Sequence, residues 1–147
     1  MTDGPRRPTA IRAFLFHLVQ WTWGLPANLA GALLHLVLRL RGGRPGRFRH
    51  ARVLWIRGPF VRGMCLGEFL FLEGPDPEPP LPGTVRQALL VHEYGHACQV
   101  LLLGPLFPFL VGIPSMLWAG LPAFRRLRAR RGIPYDRLYC EAWATAW

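Results

Sequence analysis

The chain has 147 residues, enough for one domain and too few for a modular enzyme. Hydrophobic residues make up 51% and charged residues 18%, with 15 prolines and 16 glycines, which excludes a disordered chain and leans towards a membrane protein. The net charge is +10, every basic residue is arginine, and the arginines sit in blocks beside apolar runs instead of among aromatics; this excludes nucleic acid and points to lipid headgroups as partner.

The first apolar run, Ala13 to Leu38, has 26 residues without a formal charge between Arg12 and Arg39, long enough as a helix to cross a bilayer. Trp21, Trp23, Gly24 and Pro26 interrupt its middle, so two short helices over 11–23 and 27–40 are expected, as a hairpin or a broken span. Ala30-Gly31-Ala32 offers a signal-peptidase pattern, but the apolar stretch continues past it, so the segment is read as retained. Next, Arg52 to Arg57 and Met64 to Glu73 are short and rich in branched and aromatic residues, and predict a strand pair, a small β-hairpin over 52–73. Gly74 to Gly83 holds five prolines and reads as a loop.

Thr84 and Gln87 form a T-x-x-Q capping box that starts a helix over 84–103, and Gly104-Pro105 stops it. A second uncharged stretch, Ala97 to Phe124, is broken by Gly104-Pro105, Pro108, Gly112, Pro114 and Pro122, so 104–124 cannot be one regular helix. Eight arginines between Arg39 and Arg62, and five between Arg125 and Arg131, flank this stretch on both sides. By the positive-inside rule both flanks face the cytoplasm, so a re-entrant or monotopic insertion is expected. The segment 133–147 is expected to close the chain with a helix.

The helix at 84–103 carries His92-Glu93-x-x-His96. Residues four apart share a helical face, so the two imidazoles can converge on one metal ion, while Glu93 faces the adjacent side and can reach a water held by the metal. A third protein ligand must come from downstream, because His17, His35 and His50 all precede the motif. Asp136 and Glu141 are the acidic residues after Glu93; Glu141, in an alanine-rich helical stretch, is favoured as ligand, and Asp136 suits a turn or N-cap. Tyr135 and Tyr139 are read as interfacial anchors first and oxyanion donors second, and Cys98 and Cys140 as apolar fillers before zinc thiolates. His17 and His35 are read as satisfied within the helix pair before haem ligands.

These residues resemble the gluzincin zinc metallopeptidases, H-E-x-x-H with a distant Glu followed by alanine, and particularly their membrane-embedded kind. More narrowly, His92-Glu-Tyr-Gly-His96-Ala-Cys-Gln99, Leu103-Gly-Pro-Leu106, Gly112-Ile-Pro-Ser115 and Tyr139-Cys-Glu141-Ala-Trp143-Ala144 are similar to a group of short bacterial membrane proteins. The resemblance implies a zincin-like α+β domain, mainly helical and membrane-associated, in the bacterial cytoplasmic membrane. It implies Zn2+ on His92, His96 and Glu141, with Glu93 as catalytic base. It departs from the gluzincin pattern at Thr145, where an Asp that orients a histidine is usual. The expected activity is hydrolysis of a polypeptide by metal-activated water; the alternative is a non-catalytic membrane protein with a structural or regulatory zinc. Nothing in the sequence speaks to oligomeric state.

Overall fold

The computed structural model describes residues 10–57, 62–74 and 83–146. The proline-rich stretch expected as a loop falls mostly outside them. The fold is α+β and mostly helical, with one four-stranded sheet. Helices α1 (Ala10–Thr22) and α2 (Leu25–Leu40) match the two expected short helices. They meet at 96°, neither an antiparallel hairpin nor a straight span. Pro26 sits in the first turn of α2, where its missing N–H costs nothing.

The sheet exceeds the expected strand pair. It comprises β1 (Arg44–Phe48), β2 (Ala51–Ile56), β3 (Gly63–Leu66) and β4 (Phe69–Glu73), in the order β1-β2-β4-β3. The stretch Met64 to Glu73 is itself a hairpin, and β2 pairs with β4 in parallel, Val53 opposite Leu70 and Trp55 opposite Leu72. Only β1, at the far edge, pairs antiparallel with β2, through a two-residue turn in which Arg49 takes a φ of 51°.

Both sheet faces are covered, which explains why β2 and β4 read as continuous apolar runs without alternation. On one face Val53, Trp55, Leu70 and Leu72 pack against Leu90, Tyr94 and Ala97 of α3 (Val85–Leu103) and against Phe16 of α1. On the other, Leu54, Phe69 and Phe71 pack against Leu38 of α2. Thr84 caps α3 as expected, its hydroxyl accepting from the Gln87 N–H at 3.2 Å.

After α3 the chain breaks where its glycines and prolines require: a 3-10 turn (Gly104–Leu106), a π turn (Pro108–Gly112), α4 (Ile113–Gly120) and the arginine-rich α5 (Pro122–Arg131). The last stretch is not one helix from residue 133; a 3-10 turn (Tyr135–Arg137) precedes α6 (Tyr139–Thr145). Among the described residues no single helix is long and apolar enough to cross a membrane. Two bent pairs, α1 with α2 and α3 with the segment through α4, meet that test only by combined length and composition.

Candidate metal centre

Helices α3 and α6 cross at Gly95, and their contact builds the site. A side chain at Gly95 would place its Cβ 2.1 Å from the carbonyl oxygen of Ala144, so glycine alone lets the helices approach this closely. The approach brings Glu141 of α6 onto the face of α3 that carries His92 and His96.

Glu141 Oε2 lies 3.0 Å from His92 Nε2 and 3.4 Å from His96 Nε2. One ligand atom from each of the three residues falls within 4.8 Å of the others, so the trio can hold a metal ion. Around a tetrahedral ion with bonds of about 2.1 Å, ligand atoms stand about 3.4 Å apart, and the two imidazole-to-carboxylate separations fall close to that spacing.

The other ring nitrogens are already committed. Gln99 Nε2 donates to the Cys140 carbonyl at 2.9 Å, which turns Gln99 Oε1 towards His96 Nδ1 at 2.8 Å. An amide oxygen only accepts, so His96 must carry its proton on Nδ1, leaving Nε2 as a lone pair aimed at the site. Thr145 Oγ1 donates to the Glu141 carbonyl at 2.9 Å and faces His92 Nδ1 at 3.0 Å, which sets the same tautomer in His92. Thr145 thus takes the orienting role that the resemblance gives to an Asp, with a neutral acceptor in place of a carboxylate. Two nitrogen lone pairs facing one carboxylate require a cation between them, a proton or a metal.

The electrostatics agree with that demand. Burial pushes the Glu141 carboxyl up, but with a proton as that cation the hydrogen bonds from His92 and His96, together with Ser115, outweigh it and hold the carboxyl well below the usual carboxylate range. Burial lowers His96, yet Glu141 and Glu93 outweigh this and the net direction is upward. Glu93 is buried on the neighbouring face, its carboxylate against Gly63 at the start of β3, where an added Cβ would lie 2.4 Å from Oε1. Burial raises it to about 7 against the pull of His96 and His92, the range in which a carboxylate can both take and return a proton near neutral pH.

Of the residues weighed from sequence, His92, His96, Glu141 and Glu93 come together and Asp136 does not, being exposed on the last 3-10 turn. Cys140 packs in the core with Ala27, Val100, Phe107 and Val111, the place of an apolar filler, and burial raises its thiol to about 11. Cys98 packs at the margin of the main core. His17 bonds Glu68, and His35 lies against Phe69 and Phe71. The two tyrosines part company. Tyr139 donates to the Leu110 carbonyl as an anchor, whereas the Tyr135 hydroxyl lies 3.4 Å from Ser115 Oγ, and both hydroxyls are near enough to perturb Glu141 or be perturbed by it. Trp118 Nε1 donates to the Tyr135 carbonyl at 2.8 Å, and the Arg128 guanidinium lies over both rings, which fixes this side of the site. Ser115 carried no sequence signal beyond its place in Gly112-Ile-Pro-Ser115.

Comparison with protein-family models, with curated proteins and with solved structures finds no match.

Proposed function

We propose that this chain is a membrane-attached, zinc-dependent hydrolase of the peptidase kind. The observation that carries the reading is the convergence of His92, His96 and Glu141, with both imidazoles locked in the metal-ready tautomer and Glu93 buried alongside. Two imidazoles and one carboxylate, with both imidazole-to-carboxylate separations near the tetrahedral value, suit zinc and leave a fourth position open. A zinc ion held there would supply Lewis acidity, acidifying a water and polarising a carbonyl. Glu93 would take the proton of that water and return it to the departing nitrogen, a double task that suits a carboxyl with a pKa of about 7. A bound dication would draw that value down, biasing Glu93 towards the base form in the resting enzyme.

A polypeptide fits as substrate because β3 lies at the sheet edge on the side of α3, its first residue touching Glu93. Its free edge among the described residues can accept an extended chain as an added strand. Tyr135, its hydroxyl 3.4 Å from Ser115 Oγ and close to Glu141, offers a hydroxyl donor to an oxygen that gains charge.

One observation favours the second reading, a structural or regulatory zinc: Glu141 is fully buried and His96 is 6% exposed, as in a closed site. Glu93→Gln separates the two. The hydrolase reading expects about one zinc per chain by mass spectrometry in wild type and Glu93→Gln, none in His96→Ala or Glu141→Ala, and peptide cleavage lost in Glu93→Gln. Wild type without metal after chelator-free purification overturns both readings.

A further inference from the structure

Helices α1 and α2 are polar on the wrong side for a protein surrounded by water. Gln20 and Asn28 are fully buried, and His17 reaches in to the buried Glu68. The outward face instead presents Phe14, Leu18, Trp21, Leu29, Leu33 and Leu36, each at least 41% exposed. The second bent segment repeats the pattern, with Leu106, Phe109 and Met116 all more than half exposed.

The two bends meet. Trp23, at the elbow between α1 and α2, packs on Gly104, at the end of α3 and three residues before the second bend at Phe107. An added Cβ on Gly104 would lie 2.3 Å from the indole, and the φ of +52° there suits glycine. Three donors at this junction are tied down. Gly24 N–H donates to the Val19 carbonyl, Gly104 N–H to Val100, and the Thr22 hydroxyl to Leu18 at 2.7 Å. Irregular backbone at membrane depth is tolerated where its polar groups are satisfied within the protein; the backbone donors here are paired, while the buried side-chain atoms Gln20 Oε1, beside Gly24, and Asn28 Nδ2 find no partner among the described residues. Formal charge is absent from 13–38 and from 97–124, and returns as Arg12, Arg39 and Arg41 at the far ends of the first pair and Arg125 and Arg126 after the second. The tip is apolar and the arm ends are cationic.

Length decides how deep such a wedge can go. The 13 residues of α1 span about 20 Å, and an arm of that length inclined for a 96° bend reaches a depth of about 15 Å, half of a hydrocarbon core of about 30 Å. We propose that the joined elbows form one wedge that enters a single leaflet of an anionic bilayer without crossing it, the arginines at the arm ends resting on the headgroups. His96 precedes Gly104 by eight residues, about 12 Å along α3, so the metal centre lies within a few ångström of the headgroup boundary, about 3–5 Å below it, close to polypeptide at the interface. This inference rests on the membrane part of the proposed function and is independent of hydrolysis.

The test is flotation of the purified full-length chain with preformed vesicles of phosphatidylcholine alone or mixed equally with phosphatidylglycerol. It is done on wild type and on the double variant Leu33→Glu with Phe109→Glu, whose sites are exposed and do not enter the core. Wild type is expected to float at least tenfold better with the anionic vesicles, to lose most of that excess in high salt, and to leave the arginine segments open to external trypsin. The variant is expected to lose flotation at least tenfold while keeping its zinc stoichiometry and circular dichroism. Flotation with an arginine segment shielded from trypsin overturns the single-leaflet wedge and leaves membrane attachment standing. Absence of flotation overturns both, and a shift from dimer to monomer in the variant, without lipid dependence, assigns the face to a second copy and overturns the proposal. None of these outcomes touches hydrolysis, which zinc content and Glu93→Gln report separately.

Discussion

Gly95→Ala tests the claim that one close helix crossing sets the metal centre. The new Cβ would stand 2.1 Å from the Ala144 carbonyl oxygen, against a carbon-to-oxygen contact of about 3.3 Å, so α6 must withdraw by about 1 Å. Glu141 lies on the same short helix, three residues before Ala144, and moves with it. Coordination tolerates about 0.2 Å, so a displacement several times larger is expected to weaken zinc binding by about 100-fold or more. Overpacking costs about 1–3 kcal/mol, offset by about 1 kcal/mol from replacing glycine inside a helix, so stability falls far less than metal affinity. Competition with a chromophoric zinc chelator reads the affinity and urea unfolding the stability. Gly120→Ala, where nothing lies within 4 Å of the added carbon, is the control. Wild-type affinity in Gly95→Ala would refute the view that this contact positions Glu141.

Three further outcomes are expected. In metal-free protein the unfolded chain releases the Glu93 proton near its ordinary 4.5, while the folded chain holds it to about 7, so stability falls as pH rises across that window. Glu93→Gln is therefore expected to be more stable than wild type at pH 8, by up to about 3 kcal/mol, with the gap closing near pH 5 in urea titrations. Gln99→Leu frees the His96 ring and strands the buried Cys140 carbonyl; zinc affinity is expected to drop about 10- to 100-fold in chelator competition, with about 1–3 kcal/mol of stability lost. Glu68→Gln weakens the bonds of a buried carboxylate to Arg52 at 3.0 Å and His17 at 2.5 Å. Because both partners are partly exposed, the expected loss in chemical denaturation is about 1 kcal/mol, and a loss above 3 kcal/mol would show that screening had been overestimated.

What the sequence made legible was local. The capping box at Thr84 and Gln87, the two breaks at Gly24 and Gly104-Pro105, and the i, i+4 histidines all follow from a few neighbouring residues. Glu141 could be singled out because few acidic residues follow Glu93. What escaped depends on distant pairing. Strand β1, Arg-Pro-Gly-Arg-Phe, has neither alternation nor branched residues, and is a strand because β2 offers it an edge. The parallel union of β2 with β4 places β4 between β2 and β3, an order that no local pattern records. Ser115 reaches the site only because the chain folds back after the π turn, and the role of Thr145 emerges only once α6 lies against α3.

The seven residues of α6 are too few to hold a helix by themselves, and α3, Gln99 and the His92–His96 pair supply its attachment. The third ligand is therefore late in the chain and held in place by what α6 docks against. Glu141 follows His96 by 45 positions, so during synthesis the histidine pair is made while its carboxylate is still to come. A chain emerging from the ribosome has no complete site until α6 docks, and zinc, once held by residues from both helices, would latch that last helix in place. Arrival of the metal would then mark completion of the fold, and backbone exchange in α6 would report on loading before any assay of chemistry.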